Sequence, residues 1–285
     1  MIPRLNQQII RDAVAVALAE DLGTGDVTTR ALFPHAVPAT GSILAEEPEG
    51  VVVAGVAIAQ EVFAQVDPSL TCRVLVPDGE RAPSGVAILT ITGDGRSILA
   101  GERVALNFLQ RLSGIAALTT RFCDAVKGFP VKIMDTRKTT PGFRVLEKWA
   151  VQVGGGHNHR HRLDDGLLIK DNHLALAGGD VAKACRMARE NGPSGLRIEV
   201  EVQTIEQVQA ALEGGAEIIM LDNMPLESIR EAVQLVKGRA VVEVSGGVTL
   251  ATVQTIAAAG PDLISIGALT HSAPSANMSM DVRRV

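Results

Sequence analysis

Eight lysines and arginines stand among residues 132–173 against five carboxylates, in a chain whose formal net charge is −5. Four of its six histidines, His157, His159, His161 and His173, lie in the same stretch. Arg137-Lys138 and Lys170 each follow a short apolar, β-branched run, so they are expected at strand ends. Several cations facing one cavity repel one another and lose hydration, at a cost of several kcal/mol each. An anionic ligand would complete such a site. Arg137, Lys138 and Lys170 are therefore read as ligand contacts. Arg144, Lys148 and Arg162 read equally well as solvated surface charges with ordinary ion pairs.

Carboxylates supply the opposite sign. Glu199 and Glu201 are two apart and share a face if they lie on a strand; Asp222 closes the next apolar run. Acids on neighbouring strand ends suit a hard cation such as Mg²⁺, which keeps waters and shares phosphate oxygens. They would serve equally as counter-ions for the cations above. Ser245-Gly246-Gly247 follows one apolar run, precedes a helix expected to start near Thr249, and has a companion in Gly267. Such turns expose backbone N–H groups to a phosphate, although a Gly-Gly pair is more often just a tight turn. Gly154-Gly155-Gly156 would let the chain bend before Asn158-His159-Arg160.

The elements that must position these groups follow from periodicity. From Val131 onward, six β-branched runs alternate with helical ones: 131–135, 166–170, 197–202, 217–221, 240–244 and 262–267. Helical patterns over 205–213, 226–236 and 250–259 follow three of them. Alternation with short connections predicts parallel strands and right-handed crossovers. Six strands are too few for a full eight-stranded barrel. The expectation is α/β, an incomplete, six- to seven-stranded β/α barrel whose active rim is the C-terminal end of its strands. A doubly wound sheet is the alternative, weakened because no G-x-G-x-x-G follows a strand. Before Val131 the pattern is mixed: helix near 9–17, strands at 40–46, 70–76 and 86–92, helix at 56–66, and a long helix over 97–126 with a break expected at Gly114. The division drawn is an N-terminal α/β sandwich domain over 1–113, with the chain's C-terminal end packing against it, and a barrel catalytic domain over 114–285.

Composition excludes several classes. With 46% hydrophobic and 21% charged residues, the chain is a folded globular protein rather than a disordered one. Aromatic residues are only 2%, so the core must be built from Val, Ile, Leu and Ala. The acidic balance argues against a general nucleic-acid binder. Three scattered cysteines, Cys72, Cys123 and Cys185, give no C-x-x-C pair and fit a reducing compartment. Neither a signal peptide nor a membrane-length apolar run is seen.

Several segments together resemble one family. They are Glu20–Gly23 with Gly25–Thr29, Gly101-Glu102-Arg103 through Leu112-Ser113-Gly114, Asp135-Thr136-Arg137-Lys138-Thr139-Thr140-Pro141-Gly142, Gly154–Arg160, Ile169–His173, Leu221-Asp222-Asn223, Ser245-Gly246-Gly247 and Leu269–Ser272. In this order, and over nearly the whole chain, they are similar to quinolinate phosphoribosyltransferases. Three positions depart from the family pattern: Phe143, Trp149 and Arg162, the last adding charge beside the expected pocket.

The resemblance implies that quinolinate and phosphoribosyl pyrophosphate give nicotinate mononucleotide, carbon dioxide and pyrophosphate, a step of NAD biosynthesis. It implies Mg²⁺, a cytoplasmic enzyme, and a homodimer in which Arg103 reaches the partner's site, with higher assembly left open. Arg137, His159, Arg160 and Lys170 match the residues that bind the quinolinate carboxylates. Lys138, Glu201 and Asp222 match the catalytic and phosphoribosyl pyrophosphate side, with the two acids near the metal. Ser245, Gly246, Gly247 and Gly267 fall where the 5-phosphate should sit, with His271 close by. Two kinds of rival remain at this point. One is a paralogue with another acceptor, such as the homologue associated with molybdenum transport. The others are a Schiff-base aldolase using Lys170 and a non-catalytic phosphate sensor.

Overall fold

The computed structural model describes residues 3–285. The chain opens with α1 (Gln7–Leu22), which buries Ile10, Val14 and Leu18 along one stripe at four-residue spacing. Asp26 then caps α2 (Val27–Leu32): its carboxylate accepts the Thr29 N–H at 2.9 Å, and hydrogen bonds from Thr29 hold it below the usual aspartate range. Next come β1 (Pro38–Ala45), β2 (Val51–Val52), α3 (Val56–Val66), β3 (Thr71–Val74), β4 (Arg81–Ala82) and β5 (Ala87–Asp94). β1 alternates strictly, burying Ala39, Gly41, Ile43 and Ala45 on one face.

The long helix α4 (Gly95–Ala125) runs for 31 residues without the expected break. Gly114 sits inside it for a different reason. A Cβ there would lie 2.0 Å from the Pro274 carbonyl oxygen, so the position must be bare for the 274–276 segment to pass. Glycine costs a helix interior about 1 kcal/mol, too little to divide thirty-one residues of otherwise good helix.

The six expected strands follow, now β6 (Lys132–Met134), β7 (Leu167–Ile169), β8 (Ile198–Val202), β9 (Ile218–Asp222), β10 (Val241–Ser245) and β11 (Leu263–Ser265). Between them lie α5 (Arg144–Val153), α6 (Asp171–Leu176), α7 (Val181–Asn191), α8 (Ile205–Glu213), α9 (Leu226–Val236) and α10 (Val253–Ala257), followed by α11 (Ala268–His271) and β12 (Met278–Arg284). The six strands form one parallel sheet in the order β6-β11-β10-β9-β8-β7, so β6 and β7 are its edges and no strand pairing closes it. Residues at 157 extend the β6 edge: His157 N–H donates to Ile133 O and accepts through its own carbonyl from Asp135 N–H.

By packing, the chain divides into two compact units. One runs to Thr120 and also takes 145–155 and 272–285; the other is 121–144 with 156–271. The cut drawn at residue 113 therefore falls inside α4. The first unit holds an antiparallel sheet, β12-β1-β5-β3, and the small pair β2-β4. In the second, one face of the parallel sheet is apolar: Ile198, Val200, Val202, Ile219, Leu221, Val242 and Val244 join Val208, Ala211, Ile229 and Ala232 of the covering helices in one core. No helix among the described residues is long and apolar enough to cross a membrane.

Candidate active site

The other face of the same strands is polar. Strand alternation puts Glu199 and Glu201, Met220 and Asp222, Glu243 and Ser245, and Ser265 on it. At the C-terminal ends of the strands this face lines a cavity of about 590 Å³. Around it stand Arg137, Lys138, His159, Arg160, Lys170, Glu201, Asp222, Ser245, Gly246, Gly247, Gly267 and His271. Segments far apart in the chain thus converge as expected. Arg103 does not belong to this lining; it is exposed on α4 in the first unit. Arg162 is also outside it, 74% exposed and paired with Asp164 at 3.2 Å, so it adds no charge to the cavity wall. Arg144 braces the loop after β6 instead, donating to Thr139 Oγ1 (3.0 Å) and to the His161 carbonyl (2.9 Å). Lys148 is fully buried within the first unit.

The two arginines are held with part of their hydrogen-bonding capacity unused. Arg137 Nε is buried with no hydrogen-bond acceptor. The Arg160 guanidinium donates to Gly166 O at 2.7 Å, and burial followed by repulsion from Arg137 lowers its pKa against the opposing charges of Glu199 and Asp165. Two guanidiniums that destabilise one another beside a cavity fit a dianionic or bidentate acceptor. Lys138 is positioned through its backbone: its N–H donates to Thr136 Oγ1 and its carbonyl accepts from Thr270 Oγ1 at 2.7 Å, which ties the β6 loop to α11.

Glu201 and Asp222 complete the wall. Lys170 Nζ lies 3.6 Å from Glu201 Oε2, an ion pair too long for a hydrogen bond, and Oε2 is left buried without one. Burial raises the Glu201 pKa, and the neighbouring charges of Asp222 and Asp171 add to this against the opposing pull of Lys170. Asp222 accepts from Asn223 Nδ2 at 3.0 Å. Two carboxylates on adjacent strands, one with an idle oxygen and a raised pKa, fit a hard divalent cation.

The turn after β10 is left-handed at two successive glycines. Gly246 and Gly247 have φ of +92° and +61°, and a Cβ on Gly246 would lie 2.3 Å from Asn223 Oδ1. Only glycine fits there. The helix that follows starts later than expected, at Val253 rather than near Thr249, because Thr252 Oγ1 bonds back to the Thr249 N–H and carbonyl and holds a turn. With a helix of only five residues behind it, what this turn offers an anion is its backbone N–H groups rather than a helix dipole.

Beneath the cavity His159 and Glu199, which the sequence reading treats separately, meet in one cluster with Glu243 and Ser265. His159 Nε2 is 3.1 Å from Glu199 and 3.6 Å from Glu243, and Ser265 Oγ donates a short bond to Glu243 Oε1. Glu243 is fully buried and its Oε2 has no hydrogen bond. Burial first, then the Glu199 charge, push its pKa up to about 7, against the opposing effects of His159 and Ser265. The cavity lining also includes Thr136, Thr249 and Ser265, which the sequence reading did not select. Ser265 could have been found from strand alternation alone, since it stands level with Ser245 on the next strand.

Comparison with known proteins agrees with this geometry. The family model described as quinolinate phosphoribosyl transferase, N-terminal domain, matches residues 26–113, and its C-terminal counterpart matches residues 115–281. A probable nicotinate-nucleotide pyrophosphorylase [carboxylating] of Bacillus subtilis is 43% identical over 263 residues, 92% of this chain and 90% of the relative. The chloroplastic nicotinate-nucleotide pyrophosphorylase [carboxylating] of Arabidopsis thaliana is 43% identical over 291 residues, covering 96% of this chain and 82% of its own. The solved structure of the nicotinate-nucleotide pyrophosphorylase from Francisella tularensis superposes with a TM-score of 0.92 at 36% identity, over 99% of both chains. With both halves of the model matched and an active-site cavity built from the same segments, the chain belongs to the quinolinate phosphoribosyl transferase family.

Proposed function

We propose that this chain transfers the phosphoribosyl group of phosphoribosyl pyrophosphate to quinolinate with loss of carbon dioxide, giving nicotinate mononucleotide for NAD biosynthesis. One observation carries the reading: a single cavity holds two neighbouring guanidiniums, a pair of acids of which Glu201 keeps a buried oxygen without a hydrogen bond, and a left-handed glycine turn. Each matches one part of the two substrates. Arg137, Arg160 and Lys170 hold the two ring carboxylates, with His159 beside them, and aim the pyridine nitrogen at C1 of the ribose. Holding reactants in this way supplies up to about 7–11 kcal/mol of the barrier. The Gly246-Gly247 turn, with Ser245, Gly267 and His271, binds the 5-phosphate. Lys138 faces the pyrophosphate, whose charge grows as the C1–oxygen bond breaks, while Glu201 and Asp222 face the cationic ribose.

The nitrogen lone pair forms the new bond to C1, and pyrophosphate leaves with the old bonding pair. The alkylated ring then stabilises the electron pair left at C2 when carbon dioxide departs, and a proton replaces it. Glu201 and Asp222 would hold Mg²⁺, which when bound neutralises charge on the phosphate oxygens. The exposed Arg103 is assigned to the site of a partner in a homodimer, and a cytoplasmic location goes with the reducing character of the cysteines. Incubation with quinolinate, phosphoribosyl pyrophosphate and Mg²⁺ should release carbon dioxide in step with nicotinate mononucleotide. Silence with quinolinate, or turnover of nicotinate in its place, would refute the assignment.

A further inference from the structure

Strands β7 to β10 of the parallel sheet spend their outer face on Val, Ile and Leu, yet the inner face carries Glu199 and Glu243 below the cavity, with Ser265 of β11 at its floor. Filling that space with apolar side chains would be cheaper than burying two carboxylates. The cost is visible at Glu243, whose Oε2 is buried without a hydrogen bond. Glu243 is not among the residues that line the cavity. What it meets is His159, which does line the cavity.

His159 is pinned on several sides. Its backbone N–H donates to Asp135 Oδ1 at 2.9 Å, just before the loop that carries Arg137. Its Nδ1 accepts the Arg160 backbone N–H at 2.8 Å. An Nδ1 that accepts cannot carry a proton, so the ring hydrogen sits on Nε2 and points at Glu199, 3.1 Å away, and at Glu243, 3.6 Å away. Residue 157 extends the β6 edge of the sheet, whereas Glu199 is on β8, beside the opposite edge. The imidazole therefore spans the inside of an unclosed sheet, joining its two sides where no strand does.

We propose that Glu243 is a positioning residue for the acceptor: with Glu199 and Ser265 it fixes the His159 ring, and His159 fixes the backbone of Arg160, whose guanidinium faces the cavity. The inference rests on the proposed quinolinate reading for the identity of the acceptor, but not for the contacts themselves. Steady-state kinetics of the full-length protein should be compared for the native chain, Glu243→Gln, which keeps size and an acceptor for Ser265, and Glu243→Asp and Glu243→Leu, which cannot reach the imidazole. For the last two, KM for quinolinate rises roughly 10- to 100-fold while KM for phosphoribosyl pyrophosphate stays within about threefold; Glu243→Gln remains near native.

Nitrogen-15 spectra of labelled histidine, with His159 assigned by its loss in His159→Asn, supply a readout that does not depend on turnover. The native protein and Glu243→Gln show the Nε2-protonated tautomer; Glu243→Asp shows a changed ring signal. Equal losses for both substrates without rescue by glutamine would overturn the proposal, as would native kinetics in Glu243→Asp. A native His159 protonated on Nδ1, or a stoichiometric divalent ion bound by His159, Glu199 and Glu243, would do the same. Absence of turnover in the native protein would instead overturn the quinolinate reading, and the ring spectra would still decide the positioning role.

Discussion

Replacing Glu243 by glutamine should make the protein more stable above neutral pH, and the size of the effect can be worked out. Burial and the Glu199 charge lift the carboxyl from an ordinary 4.5 to about 7. Between those values the folded chain holds a proton that the unfolded chain has released, so folding stability falls as pH rises through the window. Below 4.5 both states are protonated and there is no penalty. Above about 7 the penalty is complete, and at about 1.4 kcal/mol per pKa unit it amounts to roughly 3 kcal/mol. Glutamine fills the same space, accepts the Ser265 hydrogen bond and never ionises. Urea unfolding followed by circular dichroism from pH 4.5 to 8.5 should show the variant's advantage growing across that interval and levelling off above it. Carboxylates remote from the cluster cancel in the difference, while Glu199 and His159, which feel the Glu243 charge, titrate with it as one unit. Parallel stability curves for the two proteins over the whole range would refute the argument, because the buried acid would then titrate alike in both states.

Three further outcomes follow from other contacts. Arg137→Ala removes a half-buried guanidinium whose Nε is buried and idle, and should weaken quinolinate binding by roughly 10- to 100-fold by calorimetry while leaving phosphoribosyl pyrophosphate within a few-fold. Gly246→Ala forces a Cβ against Asn223 at positive φ, costing about 1–2 kcal/mol or more; it should raise KM for phosphoribosyl pyrophosphate more than KM for quinolinate. Gly114→Ala, although alanine is the better helix former, should lower the melting temperature, since overpacking against the Pro274 carbonyl costs about 1–3 kcal/mol.

The barrel half of the fold was readable because each parallel strand is a short β-branched run between helical patterns. All six strands lie within a residue or two of their expected places, and α8 and α9 match at both ends. The first sheet was less legible. β12 reads Met-Ser-Met-Asp-Val-Arg-Arg, mostly polar and largely exposed, because it is an edge strand whose stability comes from its pairing with β1 rather than from burial. Gly114 misled because propensity cannot see a neighbour that arrives from residue 274. At the site, charge type and strand-end placement marked Arg137, Lys138, Lys170, Glu201 and Asp222, while family resemblance was needed for His159, Arg160 and His271. The link from His159 to Glu243 could not be read from spacing, since it joins a loop residue to the inner face of β10.

The pairing of β1 with β12, from Ala39 opposite Arg284 to Ala45 opposite Met278, has a bearing on biogenesis. As the ribosome extends the polypeptide, β1 emerges early with one edge unfilled, and the strand that fills it is made only after the entire parallel sheet has been translated. The second unit, with few interruptions in chain order, can mature first, whereas the earlier-made sheet must wait for residues 278–284. That reverses the usual amino-to-carboxyl order of maturation and leaves the nascent β1 edge as the place where chaperone protection would matter most.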